Sequence, residues 1–98
     1  MFVTFEGIEG SGKSTQLALW ADHFRRNGRS VVVTREPGGT PFGAHIRRLV
    51  LGDSDIQDHR TELLLFFADR LEHIHQVIQP ALSRGDVVLC DRYMDSTW

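Results

Sequence analysis

GIEGSGKS, at positions 7–14, fits the pattern G-x-x-x-x-G-K-[ST]. A short apolar stretch at residues 2–6 precedes it with the composition of a β-strand, and a helical pattern follows it. Glycines at these positions let consecutive backbone N–H groups converge on phosphate oxygens, and the N-terminus of the following helix adds its positive dipole. An ordinary glycine turn is the alternative. Because the pattern and its position agree, we interpret residues 7–14 as a phosphate-binding loop.

Two residues of this loop have predicted chemical tasks. Lys13 would neutralise the β- and γ-phosphates of ATP, and the Ser14 hydroxyl would be a ligand of Mg²⁺. Lys13 is also the only lysine in the chain, which favours a position that needs a compact ammonium group, although chance is the alternative. We therefore predict ATP and Mg²⁺ as cofactors. The predicted nucleotide-binding residues are Gly7, Ile8, Glu9, Gly10, Ser11, Gly12, Lys13, Ser14 and Thr15.

Composition limits the other functions that the chain could have. The 98 residues are 41% hydrophobic and 24% charged, which is enough apolar mass for one modest core. The formal net charge of −2 and the absence of a long run of like charge argue against binding to a nucleic acid polymer or a membrane. A single cysteine, with no export signal and no apolar segment of membrane length, favours the cytoplasm.

Apolar periodicity divides the chain into alternating strands and helices. The first helix carries the stripe Leu17, Trp20, Ala21 and Phe24 and ends at Asn27-Gly28. A second, short helix carries Phe42, Ile46, Leu49 and Val50 and ends at Gly52. A long helical pattern runs from residue 58 to about residue 78, with the stripe Phe67, Leu71, Ile74 and Ile78, and Pro80 then breaks or kinks it.

Strands at residues 2–6, 31–33 and 87–90, separated by these helices, predict a parallel sheet covered by helices. The fold class that we predict is α/β, with the three-layer fold of P-loop NTPases and a parallel sheet of about three strands. We expect residues 1–98 to belong to one domain. Because such sheets usually continue to four or five strands, we expect this chain to be the N-terminal portion of a longer domain.

Four further stretches carry a resemblance to a known family. They are Thr34-Arg35-Glu36-Pro37-Gly38-Gly39-Thr40, Leu64-Leu65-Phe66-Phe67-Ala68-Asp69-Arg70, Asp91-Arg92-Tyr93, and Glu9 inside the first loop. In this order and at these separations they resemble bacterial thymidylate kinases, over the whole chain but only half of the family's usual length. The resemblance implies transfer of the γ-phosphoryl group of ATP to dTMP, giving dTDP and ADP.

The resemblance also implies roles for individual residues. Phe66 would stack on the thymine and Arg70 would hydrogen-bond the base edge, since positions four apart share one helix face. A core phenylalanine beside a surface arginine is the alternative that the spacing alone leaves open. Arg92 would hold the acceptor phosphate, and Asp91 would orient Mg²⁺ through water, at the strand ends where α/β sheets bind ligands. A simple ion pair is the alternative there. The predicted catalytic residues are Lys13, Asp91 and Arg92.

Further matched positions complete the predicted substrate site. Glu9 would lie near the acceptor sugar and Arg47 would reach the monophosphate, with a solvent-facing position as the alternative for both. The full set of predicted substrate-binding residues is Glu9, Arg35, Arg47, Phe66, Arg70, Arg92, Ser96 and Thr97.

Two other functions remain open from the sequence. One is a nucleotide-binding fragment or module without turnover, and the other is a related P-loop kinase for another nucleoside or small molecule. Homodimers are common in the family that the chain resembles, and the long helix would supply apolar surface. The five histidines, which include His73 and His75, are expected at the surface and form no convincing metal or catalytic set.

Overall fold

Three strands alternate with helices along the chain in the computed structural model, which describes residues 1–6, 12–52 and 55–92. The elements in chain order are β1 (Phe2–Glu6), α1 (Lys13–Arg26), β2 (Val31–Glu36), α2 (Pro41–Leu51), α3 (His59–His73), a π-helical turn (Ile74–Ile78), α4 (Gln79–Ser83) and β3 (Val87–Arg92). All three predicted strands are present, and β2 and β3 extend past their apolar residues into charged ones.

The strands form one parallel sheet in the order β1-β3-β2. Strand β3 therefore lies in the centre, and its first four residues, Val87, Val88, Leu89 and Cys90, are fully buried. A central parallel strand is covered on both faces by helices, which explains why its sequence is apolar without alternation. The prediction of an α/β fold with a parallel sheet is confirmed.

Two apolar clusters make the sheet the middle of three layers. On one face, Leu17 and Ala21 of α1 pack on Val87 and Leu89 of β3. On the other face, Ile78 and Ala81 pack on Val88. Alternate residues of β3 thus point into opposite clusters, as the pleat of a strand requires.

Helix α2 begins at a well-defined cap and packs on α3. The Thr40 hydroxyl accepts a hydrogen bond from the backbone N–H of Gly43 at 2.9 Å, and Pro41 occupies the first helical position. Thr40 follows directly after the loop of residues 37–39, so this cap fixes where the loop joins the helix.

The buried face of α3 differs from what the apolar pattern suggests. Phe66, Asp69 and His73 are the buried residues of this helix, whereas Phe67, Leu71 and Ile74 of the apolar stripe are exposed and only Ile78 is buried. The predicted apolar stripes of α1 and α2 are also partly exposed. Trp20 on α1 and Phe42 and Leu49 on α2 are exposed residues.

Pro80 does not end the helical segment. A π-helical turn at Ile74–Ile78 precedes it, and the backbone continues as α4 to Ser83. A wider turn accommodates a residue that has no N–H to donate to the preceding turn, so the chain bends without stopping. Among the described residues, no helix has the length and apolar character that crossing a membrane requires.

Candidate active site at the carboxyl edge of the sheet

Charged side chains gather where the three parallel strands end. Arg92 at the end of β3 is in register with Glu6 of β1 on one side and Glu36 of β2 on the other. Asp91, one residue earlier, is opposite Phe5 and Arg35. Because the carboxyl ends of parallel strands share one edge, this edge is where an open α/β sheet binds ligands.

Lys13 connects the start of α1 to this edge. Its Nζ atom lies 2.6 Å from Asp91 Oδ1 and donates a hydrogen bond to the backbone oxygen of Arg92 at 3.2 Å. The side chain is only 6% exposed. Gly12, just before the helix, has a φ of 84°, a conformation that favours glycine. Gly12 and Lys13 thus lie where the predicted loop joins α1, and the Lys13 side chain reaches the end of β3.

A cleft of about 380 Å³ opens beside this ion pair. Ser14 and Asp91 line it together with Thr34, Arg35 and Gly39. A serine hydroxyl and a carboxylate are hard oxygen donors of the kind that Mg²⁺ prefers, so the two predicted metal residues fit the ion. Thr15, the last predicted nucleotide-binding residue, is exposed beside Ser14.

Glu36 joins two arginines at the same edge. Its Oε1 atom accepts a hydrogen bond from Arg70 Nε and another from Arg92 Nε, both at 3.2 Å. The Glu36 side chain is 2% exposed, so the contact brings two guanidinium groups from different elements onto one buried carboxylate. Bonds between ionised partners of this type are stronger than neutral ones.

The second oxygen of Glu36 is held by His73. Nδ1 of His73 lies 2.8 Å from Glu36 Oε2, and Nε2 lies 2.6 Å from the Thr34 hydroxyl. Burial alone would raise the pKa of Glu36, but the hydrogen bond from His73 and the charges of Arg70 and Arg92 lower it below its usual range. His73 itself is fully buried, so the expectation that all five histidines lie at the surface is wrong.

Comparison with known proteins identifies the family. The model of the family described as thymidylate kinase matches residues 5–98. The chain belongs to the thymidylate kinase family. It is 59% identical over 97 residues to a thymidylate kinase of Bordetella petrii, covering 99% of this chain and 46% of that protein. It is 57% identical over 98 residues to a thymidylate kinase of a Polaromonas species, covering 100% of this chain and 43% of that protein.

A solved structure gives the same result in three dimensions. The crystal structure of thymidylate kinase from Ehrlichia chaffeensis matches with a TM-score of 0.81 at 45% identity. The match covers 94% of this chain and 53% of that one. The chain thus spans about half the length of the thymidylate kinases that it matches.

The loop of residues 37–39 holds the two other arginines that the resemblance to thymidylate kinases assigns to the substrate. Arg35 Nε donates to the Gly38 oxygen at 3.3 Å, and Arg47 Nη1 donates to the Pro37 oxygen at 2.9 Å. A Cβ atom at Gly38 would lie 3.1 Å from Arg47 and 3.4 Å from Arg35. Both arginines therefore flank one glycine, which lines the cleft.

Asp69 anchors this loop to α3. Its Oδ1 atom accepts a hydrogen bond from the backbone N–H of Gly38 at 3.0 Å, and the residue is 1% exposed. Burial raises the pKa of Asp69, although the bond from Gly38 partly offsets this. Asp69 thus fixes the loop of residues 37–39, and burial of its carboxylate opposes the ionised form.

Phe66 and Arg70 share a face of α3, as predicted, but differ in exposure. Arg70 is 28% exposed and bonds to Glu36, whereas Phe66 is 4% exposed and belongs to the buried residues. Its burial agrees with the core interpretation that the spacing left open. Stacking of the ring on a base stays a prediction.

Several predicted site residues lie outside the described residues. These are Gly7, Ile8, Glu9, Gly10 and Ser11 of the loop, and Ser96 and Thr97 near the end of the chain. Their predicted roles stay predictions.

Three buried residues that hold the site's arginines and loop are absent from the predicted site, namely Glu36, Asp69 and His73. Each had a signal in the sequence. Glu36 lies in a matched stretch at a strand end, and Asp69 and His73 lie three and seven residues after Phe66, on the same helix face. The apolar stripe of Phe67 and Leu71 lies on the other side of α3, so hydrophobicity alone favours burial of that side and not of Asp69 and His73.

Proposed function

We propose that the protein is a thymidylate kinase that transfers the γ-phosphoryl group of ATP to dTMP, giving dTDP and ADP. The observation that supports this most is the gathering of Lys13, Arg70, Arg92 and Asp91 at one sheet edge beside Ser14. Phosphoryl transfer needs two anionic reactants held in line and charge stabilised on the phosphate oxygens. A cluster of cations at one edge of the sheet is suited to that task.

On the donor side, Lys13 and the loop of residues 7–14 bind the phosphates of ATP in this proposal. Asp91 holds the Lys13 ammonium at the start of α1, where the helix dipole also favours negative charge. Ser14 would be a ligand of Mg²⁺ and Asp91 would orient the ion through water, and the ion would offset negative charge on the phosphates.

On the acceptor side, Arg92 binds the monophosphate and Arg70 binds the base, with Phe66 beside it. Arg35 and Arg47 add positive charge next to the loop that lines the cleft. The residues proposed to complete the substrate site are Glu9, Ser96 and Thr97.

We also propose that residues 1–98 belong to one nucleotide-kinase domain that acts in the cytoplasm as a homodimer. Leu64, Phe67 and Leu71 are each more than half exposed and lie on one face of α3, and Phe42 and Leu49 are exposed on α2, which packs on α3. We call these five residues the apolar face. An apolar surface spread over two packed helices is typical of a subunit interface.

Formation of ADP by the natural protein that carries this chain tests the proposed activity. We expect Mg²⁺-dependent turnover with dTMP that exceeds turnover with dUMP, dCMP and AMP. Lys13→Ala should lower kcat by about a hundredfold or more, because it removes a cation from the transferring phosphates.

Arg70→Ala and Arg60→Ala form a matched pair for the acceptor side. Arg60 lies at the start of the same helix, where it pairs with Asp58. Arg70→Ala should raise the KM for dTMP by about tenfold or more, as expected for loss of a charged hydrogen bond, while Arg60→Ala should leave it unchanged. Preference for another acceptor would indicate a related kinase, and binding of both nucleotides without turnover would indicate a binding module.

A further inference from the structure

Glu36 holds two arginines with one carboxylate oxygen, and His73 and Thr34 hold Glu36. Two like-charged guanidinium groups, from α3 and β3, meet on the single oxygen Oε1. Each donates to Glu36 through Nε, and Arg92 also donates through Nη1 to Glu6 Oε1 at 3.4 Å. Glu36 is therefore the carboxylate that the two arginines share. A rotation of this carboxylate would break or bend the hydrogen bond that it accepts from each arginine.

His73 and Thr34 fix that direction. The carboxylate can only accept, so Nδ1 of His73 donates to Oε2, and in the neutral ring Nε2 then accepts from the Thr34 hydroxyl. The ring is also enclosed by the loop, because a Cβ atom at Gly39 would lie 2.6 Å from its Cδ2 and Nε2 atoms. The orientation of the His73 ring is therefore fixed by a partner at each nitrogen and by contact with Gly39 at one edge.

We propose that His73 is a positioning residue that acts through Glu36 to orient Arg70 and Arg92 for the acceptor nucleotide. The inference rests on the proposed function, because it assigns these two arginines to dTMP. Thr34 lines the cleft, so the chain of bonds runs from the cleft wall through His73 and Glu36 to both arginines. Orientation matters here because a displacement of about 1 Å in a reacting geometry can cost about a hundredfold in rate.

A metal site is the other function that this cluster could have, since Glu36, His73 and Cys90 each place one ligand atom within 4.8 Å of the others. The hydrogen bonds argue against it. Both nitrogens of His73 and both oxygens of Glu36 are already engaged, and two guanidinium groups lie beside the carboxylate. Burial raises the pKa of the Cys90 thiol to about 12, so it stays protonated and is a poor ligand.

The test compares three substitutions of His73 in the natural protein. Asn places its amide nitrogen where Nδ1 lies, Gln places it where Nε2 lies, and Phe has neither donor. We expect His73→Phe and His73→Gln to raise the KM for dTMP by about tenfold while the KM for ATP changes less than about twofold. His73→Asn should restore the KM for dTMP to within about threefold of the original, because it keeps the donor to Glu36. His75→Phe is the matched control, since His75 is exposed two residues away.

A second readout does not depend on turnover. The Nε–H resonances of Arg70 and Arg92 in a ¹⁵N spectrum of the protein without nucleotide report their bonds to Glu36. His73→Phe and His73→Gln should shift both resonances and speed their exchange with water, and His73→Asn should not. If a Phe variant fails to fold, the contrast between Asn and Gln carries the test.

The outcomes separate this inference from the proposed function. If the original protein does not phosphorylate dTMP, the proposed function fails, and the arginine resonances still decide whether His73 orients the two guanidinium groups. If dTMP is phosphorylated but folded His73→Phe or His73→Gln leaves both the KM for dTMP and the arginine resonances unchanged, His73 has only a structural role. Equal behaviour of the Asn and Gln variants would also overturn the inference.

Discussion

Glu36 and Asp69 are two buried carboxylates whose pKa values shift in opposite directions. Both are desolvated, but Glu36 receives hydrogen bonds from His73, Arg70 and Arg92, whereas the described partner of Asp69 is one backbone N–H. The hydrogen bond from His73 and the charges of Arg70 and Arg92 together outweigh burial at Glu36, so its pKa is lowered, whereas burial dominates at Asp69, so its pKa is raised. The number and charge of the donors decide the sign.

These opposite shifts predict opposite effects of pH on stability. Glu36 has a lowered pKa in the folded protein, so its contribution is present above the ordinary glutamate value of about 4.3 and is lost as the pH falls through the folded value. Asp69 has a raised pKa, so its contribution is largest below about 3.9 and is lost as the pH rises through the folded value. Urea unfolding of Glu36→Gln and Asp69→Asn at pH values from about 3 to about 8 measures these effects.

The stability difference between the original protein and Glu36→Gln should grow with rising pH. The corresponding difference for Asp69→Asn should shrink, because asparagine keeps an acceptor for the Gly38 N–H and carries no charge. Two differences that change in the same direction would contradict the assignment of donors to these two carboxylates.

At the scale of elements, the packing of α2 on α3 depends on Gly43. A Cβ atom there would lie 2.3 Å from Asp69 Oδ1 and 3.1 Å from the Thr40 hydroxyl. Alanine normally stabilises a helix interior by about 1 kcal/mol relative to glycine. Here we expect Gly43→Ala to lower the free energy of unfolding by about 1–3 kcal/mol, because the methyl group overpacks the contact with a buried carboxylate.

Gly85→Ala is the control for that prediction. A Cβ atom at Gly85 meets nothing within 4 Å, so only its positive φ of 85° opposes the substitution. Chemical denaturation of both variants separates the two effects. A Gly43→Ala variant as stable as the original protein would show that α2 and α3 are less closely packed than the structure has them.

The apolar face of α2 and α3 carries the prediction about assembly. Leu71→Glu places a charge in the middle of this face and should convert a dimer into monomers, as measured by light scattering after gel filtration. Leu19→Glu on α1 is the matched control, since Leu19 and Leu71 are 65% and 68% exposed. Equal masses for both variants, or dissociation by both, would contradict an interface on this face.

Helix α3 shows which features of the fold the sequence predicts and which it does not. The start of α3 follows from its periodicity, and Asp58 caps it there, its Oδ1 accepting from the Arg60 N–H at 2.9 Å. The end of α3 at His73 does not follow, because the helical pattern continues to about residue 78. Which face is buried does not follow, because hydrophobicity favours the stripe at Phe67 and Leu71. The buried face instead has a histidine and an aspartate whose partners lie more than thirty residues away in sequence. Such partners are brought together only by the tertiary fold.

At the scale of the whole molecule, the parallel sheet assembles the site. The order β1-β3-β2 places Arg92 between Glu6 and Glu36 and puts Asp91 next to Lys13. The pattern of the phosphate loop, the strand ends and the spacing of Phe66 and Arg70 can be read from the sequence because each is local, and the role of the loop stays a prediction. The network that joins them cannot be read in this way, since it depends on strand order and on the packing of α3 against the end of β2.

The central claim is that the carboxyl edge of the sheet catalyses phosphoryl transfer to dTMP. Transfer of labelled phosphate tests this claim most directly. The natural protein would be incubated with Mg²⁺, γ-labelled ATP and dTMP, with Lys13→Ala in parallel, and the products separated by chromatography. We predict that the label appears in dTDP in step with the formation of ADP, and that Lys13→Ala loses this transfer. Label that appears only in inorganic phosphate, or a rate that does not depend on dTMP, would contradict the account.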